Sequence, residues 1–182
     1  MQSIFTIGHS TREISDFIGL LLSHKITQLV DIRTIPNSAH NPQFGQTELE
    51  KSLSENGIKY VYIKKLGGLR PAVSNSINGA WRNKSFRNYA DYMQSVEFKQ
   101  GLNALITLSK NAVTAIMCAE AVPWRCHRSL VSDALLINDI PVCEIIGSRN
   151  VREHVLTSFS VVNATTITYP KSDLTLEEND DE

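Results

Sequence analysis

The sequence predicts a three-layer α/β fold: a mainly parallel sheet of about five or six strands with flanking helices, Rossmann-like in outline. Three observations carry this. Short β-branched apolar runs alternate with amphipathic stretches of about ten residues or more, the signature of βαβ units. The strand candidates are nearly continuous in apolar character, as strands covered on both faces require. Finally, the 182 residues, 42% of them hydrophobic, suffice for one good-sized core and would cramp two. A single domain is expected over residues 1–170, with an acidic, disordered tail at 171–182.

Taken in order, "SIFTIG" (3–8) is a buried strand and "ISDFIGLLLSH" (14–24) a helix. "ITQLVDIR" (26–33) is the second strand, "TELEKSLSENG" (47–57) a short helix stopped by Gly57, and "IKYVYIK" (58–64) the third strand. Residues 86–110 give one broken helix or two successive ones, and "AVTAIMCA" (112–119) a fourth strand. "CHRSLVSDALLIND" (126–139) is a helix and "PVCEIIG" (141–147) a fifth strand, while 158–170 adds a sixth strand or a hairpin. Crossovers between parallel strands are right-handed. The loops at 34–46 and 65–85 exceed ordinary connection lengths, which favours a functional role.

Chemistry-bearing residues gather where these strands end. "GHSTRE" follows the first strand, and Ser10 with Glu13 reads as a capping box, placing His9 just before the helix. The second strand delivers Asp31 and Arg33, which share a face by the two-residue period and form either a ligand site or a structural ion pair. The third ends in "KKLGG", where Gly67 and Gly68 permit a tight turn or a close approach. The fourth ends at Cys118 and Glu120. Ligands of open parallel sheets bind outside the carboxyl ends of the strands, so these motifs converge on one edge.

The stretch "MCAEAVPWRCHRSLVSDALL" (117–136) gathers thiol, carboxylate, imidazole and guanidinium groups. A metal clip is disfavoured: the seven-residue gap between Cys118 and Cys126 is wider than a zinc knuckle, and Cys126 and His127 would diverge by about 100° on a helix. No metal is assigned. A phosphatase loop would need five residues between cysteine and arginine, and neither Arg125 nor Arg128 stands there. What remains is Cys126, His127 and Arg128 opening a helix, where free amides and the positive dipole end favour an anion or a thiolate.

Nothing at the N-terminus resembles a secretory signal and no run is long enough to span a membrane. Three cysteines, two of them within the motif, point to a reducing cytoplasmic setting. The formal net charge of −1 hides an asymmetry. Six acids lie after Ser172 with no basic residue, leaving 18 basic residues against 13 acidic ones in the body. Between Lys64 and Ala90 stand Lys64, Lys65, Arg70, Arg82, Lys84 and Arg87, interleaved with Trp81, Phe86 and Tyr89. Such a segment is either a solvated loop or a track for a phosphate backbone.

"TIGHSTR", "VDIRTIPNS", "KKLGGLR", "FRNYADYM" and the Cys-Ala-Glu to Cys-His-Arg stretch, in this order, resemble the bacterial and archaeal family called domain of unknown function 488, over about residues 3–148. The resemblance implies a cytosolic α/β domain and marks His9, Ser10, Asp31, Arg33, Gly67, Gly68, Cys118, Glu120, Cys126, His127 and Arg128. It implies no settled activity, cofactor or substrate.

The leading expectation is an enzyme acting on a phosphate-bearing substrate, a nucleotide or nucleic acid. His9 is the acid/base candidate, Cys118 or Cys126 the nucleophile, Arg33 with Arg128 the anion clamp, and Glu120 the orienting group. Two alternatives stand beside it. One is a non-catalytic nucleotide- or nucleic-acid-binding module using the 64–90 segment; the other is a redox-sensing thiol pair, Cys118 with Cys126.

Overall fold

A computed structural model describes residues 2–172. The expected acidic tail therefore falls, beyond Lys171 and Ser172, outside the described residues. Six strands form one sheet: β1 (Ile4–Gly8), β2 (Gln28–Asp31), β3 (Lys59–Tyr62), β4 (Thr114–Cys118), β5 (Val142–Ile145) and β6 (Val151–Glu153). Five helices flank it: α1 (Ile14–Ser23), α2 (Gln46–Glu55), α3 (Lys84–Tyr92), α4 (Val96–Ser109) and α5 (Arg128–Leu136). The strand order is β3-β2-β4-β1-β5-β6, all parallel except β6, which returns antiparallel to β5. The fold is thus three-layer α/β.

Two apolar cores explain the layers. Ile7, Leu29, Ala115 and Met117 of the sheet pack with Phe17, Leu21, Leu49 and Leu53 of α1 and α2. On the opposite face, Ile4, Val30, Ile116 and Val142 pack with Tyr89, Leu105, Leu130 and Leu135 of α3, α4 and α5. Both faces of β2 and β4 are buried, so Leu29 and Val30, and Ala115, Ile116 and Met117, are apolar on both sides, while Gln28 and Thr114 at the strand starts satisfy each other by a hydrogen bond. Each buried Leu or Ile contributes about 1.5–3 kcal/mol relative to exposure.

The break within residues 86–110 lies at Met93–Ser95, where the Ser95 side chain accepts from the Phe98 amide and caps α4. The 158–170 stretch is a hairpin, β7 (Val161–Asn163) with β8 (Thr166–Thr168), separate from the main sheet. The sixth strand of that sheet is instead β6, which the sequence reading passed over.

The capping box is corrected. Helix α1 starts at Ile14 with Glu13 as its N-cap, and no side chain caps it. Ser10 adopts a left-handed φ of 50° and its amide donates to the Ala119 carbonyl. After β1 the chain must first clear the end of β4, so the helix begins one turn later than a Ser10 cap would need.

Insertion of β4 between β1 and β2 creates the crevice. From β1 and β2 the chain leaves toward the α1–α2 layer, and from β4 toward α5 on the other face. The carboxyl end of β4 is consequently open between diverging connections, the geometry that accepts ligands in open parallel sheets.

Candidate functional site

A cavity of about 430 Å³ occupies this crevice. Of the residues singled out from sequence, His9, Arg33, Gly68, Cys118, Glu120, Cys126 and His127 line it. Asp31 and Arg128 stand immediately behind, as ion-pair and hydrogen-bond partners of lining residues. Ser10 and Gly67 do not line it.

The thiols form its floor. Cys118 ends β4, and Cys126 follows a single 3₁₀ turn at Pro123–Arg125; their sulfurs are 2.6 Å apart, and the two cysteines are 2% and 5% exposed. Burial alone would raise the Cys126 thiol, but its hydrogen bond with Cys118 and the nearby Arg128 charge bring it down to about 7. Burial and the bond to Cys126 push the Cys118 thiol the other way, well above its ordinary value.

His127 is fixed by what surrounds it. Its Nε2 lies 2.9 Å from the Ile32 carbonyl, which can only accept, so Nε2 carries the proton. Burial lowers the ring's pKa and keeps it neutral, leaving the Nδ1 lone pair 3.4 Å from Cys126 Sγ, placed to take the thiol proton. A side chain at position 68 would strike this ring: a Cβ there would sit 2.6 Å from Nδ1. Gly68 therefore exists to admit the imidazole, and Gly67 presses as closely against Thr34.

His9 has the opposite wiring. Its Nδ1 donates to the Ser10 carbonyl at 2.7 Å, its Nε2 faces Arg33 Nη1 at 3.4 Å, and the ring stacks on Phe44. Burial first, and then the Arg33 charge, lowers its pKa. Asp31 and Arg33 do form an ion pair: Arg33 Nη2 meets Asp31 Oδ2 at 2.6 Å and Nε reaches both carboxylate oxygens. The Tyr60 hydroxyl donates to the same carboxylate. Arg128 is buried in front of Thr6, with Nε on Cys118 Sγ at 2.9 Å, Nη1 on Thr6 Oγ1 and Nη2 on the Glu120 carbonyl. Glu120 thus orients a guanidinium through its backbone, while its side chain is exposed.

Sequence reasoning missed Thr6, Tyr60, Phe44 and Gly8. The last is demanded by the Glu120 carbonyl, which a Cβ at position 8 would meet at 1.7 Å. Thr6, Gly8 and Tyr60 stood in quoted motifs, but their roles, like that of Phe44 from the loop after β2, require knowing which segments are neighbours in space. Among the described residues no three His, Cys, Asp or Glu side chains cluster to hold a metal ion.

The 64–90 segment is largely tied down. Arg70 lies over the Tyr92 ring and bonds backbone carbonyls of Lys64, Lys65 and Gly67. Arg87 holds the Trp81 carbonyl, and Trp81 packs among Phe86, Phe159 and Tyr169. Tyr89 is fully buried. No helix among the described residues is long and apolar enough to cross a membrane.

No curated protein and no solved structure matches the chain. A family description, "Domain of unknown function DUF488", matches residues 13–135, a narrower span than the motifs from residue 3 to 148 suggest. That span holds Asp31, Arg33, both glycines, both thiols, His127 and Arg128, and it covers well over half the sequence: the chain belongs to the DUF488 family.

Proposed function

We propose that the protein is a dithiol redox protein that cycles Cys118 and Cys126 between thiol and disulfide in a reducing cytoplasm. One observation carries the reading: two buried sulfurs 2.6 Å apart open onto a cavity. Cys126 is the attacking thiolate, since its hydrogen bond with Cys118 and the Arg128 charge draw its pKa down to about 7. An incoming disulfide is opened by Cys126, forming a mixed disulfide and releasing one thiolate. Cys118 then gives up its proton, attacks Cys126 Sγ and expels the second thiolate. Two electrons pass from the cysteine pair to the incoming disulfide.

Less supports an enzyme acting on a small phosphorylated ligand or nucleic acid. Arg33 is already neutralised by Asp31, and every side-chain nitrogen of Arg128 has a protein partner. The exposed Arg125 at the cavity is the cation left for an anionic substrate. A nucleic-acid-binding module has less support again, because Trp81, Phe86 and Tyr89 turn inward.

The test is oxidation of the folded chain with diamide, followed by alkylation and peptide mass analysis. A Cys118–Cys126 disulfide should form quantitatively, with Cys143 outside it. Equal, slow alkylation of all three cysteines and no disulfide would reject the reading.

A further inference from the structure

Arg128 is 1% exposed, and its guanidinium touches Cys118 Sγ, Thr6 Oγ1 and the Glu120 carbonyl. Its backbone amide also donates to Cys126 Sγ at 3.4 Å. Among the described residues the ion pairs are Asp31 with Arg33, Glu144 with Arg152, and His154 with Asp133 and Glu144; none involves Arg128. A guanidinium remains charged at any pH a protein survives. A buried charge without an opposite one is strongly unfavourable. Neither a threonine hydroxyl nor a peptide carbonyl ionises near neutral pH, so among the described residues that Arg128 touches the sulfurs are the ones able to supply the negative charge.

The other charged or titratable groups facing the pair do not replace it. His127, at the start of α5, and His9, after β1, are held neutral by burial. Asp31, the last residue of β2, is committed to Arg33, and Tyr89 of α3 has its ionisation pushed far up by burial. Arg70 and Arg125 add positive charge, and the Glu120 side chain lies in solvent.

We infer that Arg128 is the counterion of a Cys118–Cys126 monoanion, one thiolate accepting the other thiol's proton, and that this pairing makes the disulfide the less stable form, so that the oxidised site passes its disulfide on to thiol substrates. The inference rests on the dithiol reading above. It sets the direction of exchange. A substrate thiolate attacks the Cys118–Cys126 bond, which breaks to leave a thiolate beside Arg128 and a mixed disulfide. A second substrate thiol gives its proton to the cysteine pair and attacks the substrate sulfur of that mixed disulfide, which expels the protein thiolate and leaves as substrate disulfide. Two electrons move from two substrate thiols to the protein, which recovers the dithiol monoanion. Stabilising the leaving thiolate is what makes a protein disulfide oxidising. Arg128 is a positioning residue in this scheme, acting through the sulfurs.

Two measurements test it, both on the full chain. In glutathione redox buffers at neutral pH, the disulfide fraction is read by alkylation and mass. Arg128→Met should favour the disulfide by roughly 10- to 100-fold in the equilibrium constant, the size of a hydrogen bond to a charged group. Arg128→Lys should restore part of the difference, and Thr6→Val, which loosens one guanidinium anchor, should shift it slightly the same way. An equilibrium indifferent to these changes overturns the inference. The second measurement needs no variant at Arg128. In a Cys143→Ser chain, ultraviolet thiolate absorbance should show one thiolate formed well below the reference thiol pKa of about 8.5. No thiolate before that pH also overturns it. A wild-type chain that forms no disulfide with diamide defeats the dithiol reading itself; a disulfide insensitive to Arg128 defeats only this inference.

Discussion

Helix α5 carries a buried charge at each end, and the two are treated differently. Near its C-terminal end Asp133, fully buried, accepts from His154 Nε2 at 2.8 Å, the Tyr169 hydroxyl at 2.8 Å and the Thr157 amide at 3.2 Å. The other nitrogen of His154 faces Glu144, which also binds Arg152, and Arg152 lies over Trp124. Burial alone would lower the His154 pKa, but the bonds to Asp133 and Glu144 push it up to about 9. Every charge there has an opposite charge, and the cluster latches residues 151–169 onto the domain. At the other end Arg128 meets sulfur where a carboxylate would stand. A fully compensated cluster does structural work, whereas one whose compensation depends on a titratable, oxidisable group has chemistry available to it.

The comparison is broken most completely by Cys126→Ser. Disulfide formation should disappear, read by mass after diamide treatment, while denaturant stability near the latch is retained. Asp133→Asn is the converse: it should cost roughly 3–5 kcal/mol, as is typical of broken buried pairs, measured by urea unfolding, with Cys126 alkylation unchanged. A smaller effect separates the two by pH. The raised His154 pKa means that its contribution is full below about 6.5 and is lost as pH rises through about 9; the shift alone corresponds to roughly 3 kcal/mol, which solvent screening at this partly exposed site reduces to on the order of 2 kcal/mol. The depressed Cys126 pKa works in the opposite sense, its contribution present above the ordinary thiol range and lost as pH falls through about 7. His154→Gln should remove the first slope and Cys126→Ser the second in pH-dependent unfolding. Smallest is Gly68→Ala, which should displace His127 and slow Cys126 alkylation about tenfold, equivalent to about 1.4 kcal/mol, with the latch untouched.

The strands β1, β2, β4 and β5 were legible because burial writes itself as apolar runs, and β3, at the sheet edge and only partly buried, because aromatic and β-branched residues fill it. Strand β6 was not: Val151, Arg152 and Glu153 are all exposed, and three exposed residues on a sheet edge carry no period. Ser10 misled because Ser-x-x-Glu has the chemistry of a cap wherever it falls, whereas the end of β4 decides where the helix starts. In the site, the strand-end rule brought His9, Arg33, Cys118 and Glu120 into view together. Alternation along one strand put Asp31 and Arg33 on the same face and left open whether they form a ligand site or the ion pair that the structure shows. The sulfur–sulfur contact and the demand of Arg128 for an anion were beyond such rules, since they depend on a 3₁₀ turn and on which acceptors are missing around a buried side chain. His154 had no visible partner in sequence because Asp133 and Glu144 reach it only through the return of β6.

The placement of β4 between β1 and β2 also governs how the molecule is made. Neither β1 nor β2 pairs with the other; each waits for residues 114–118, some eighty residues or more downstream. The first three strands emerging from a ribosome have a gap where the centre of the sheet belongs. Closing so long a loop precedes the reward of its pairings, which slows folding. Until the strand bearing Cys118 is inserted, β1 and the β2–β3 pair expose unpaired edges, and such edges invite association with other chains. The central strand is therefore both the floor of the thiol site and the piece that joins β1 to the β2–β3 pair, so a chain that has assembled its dithiol has, by the same event, closed the gap in the middle of its sheet.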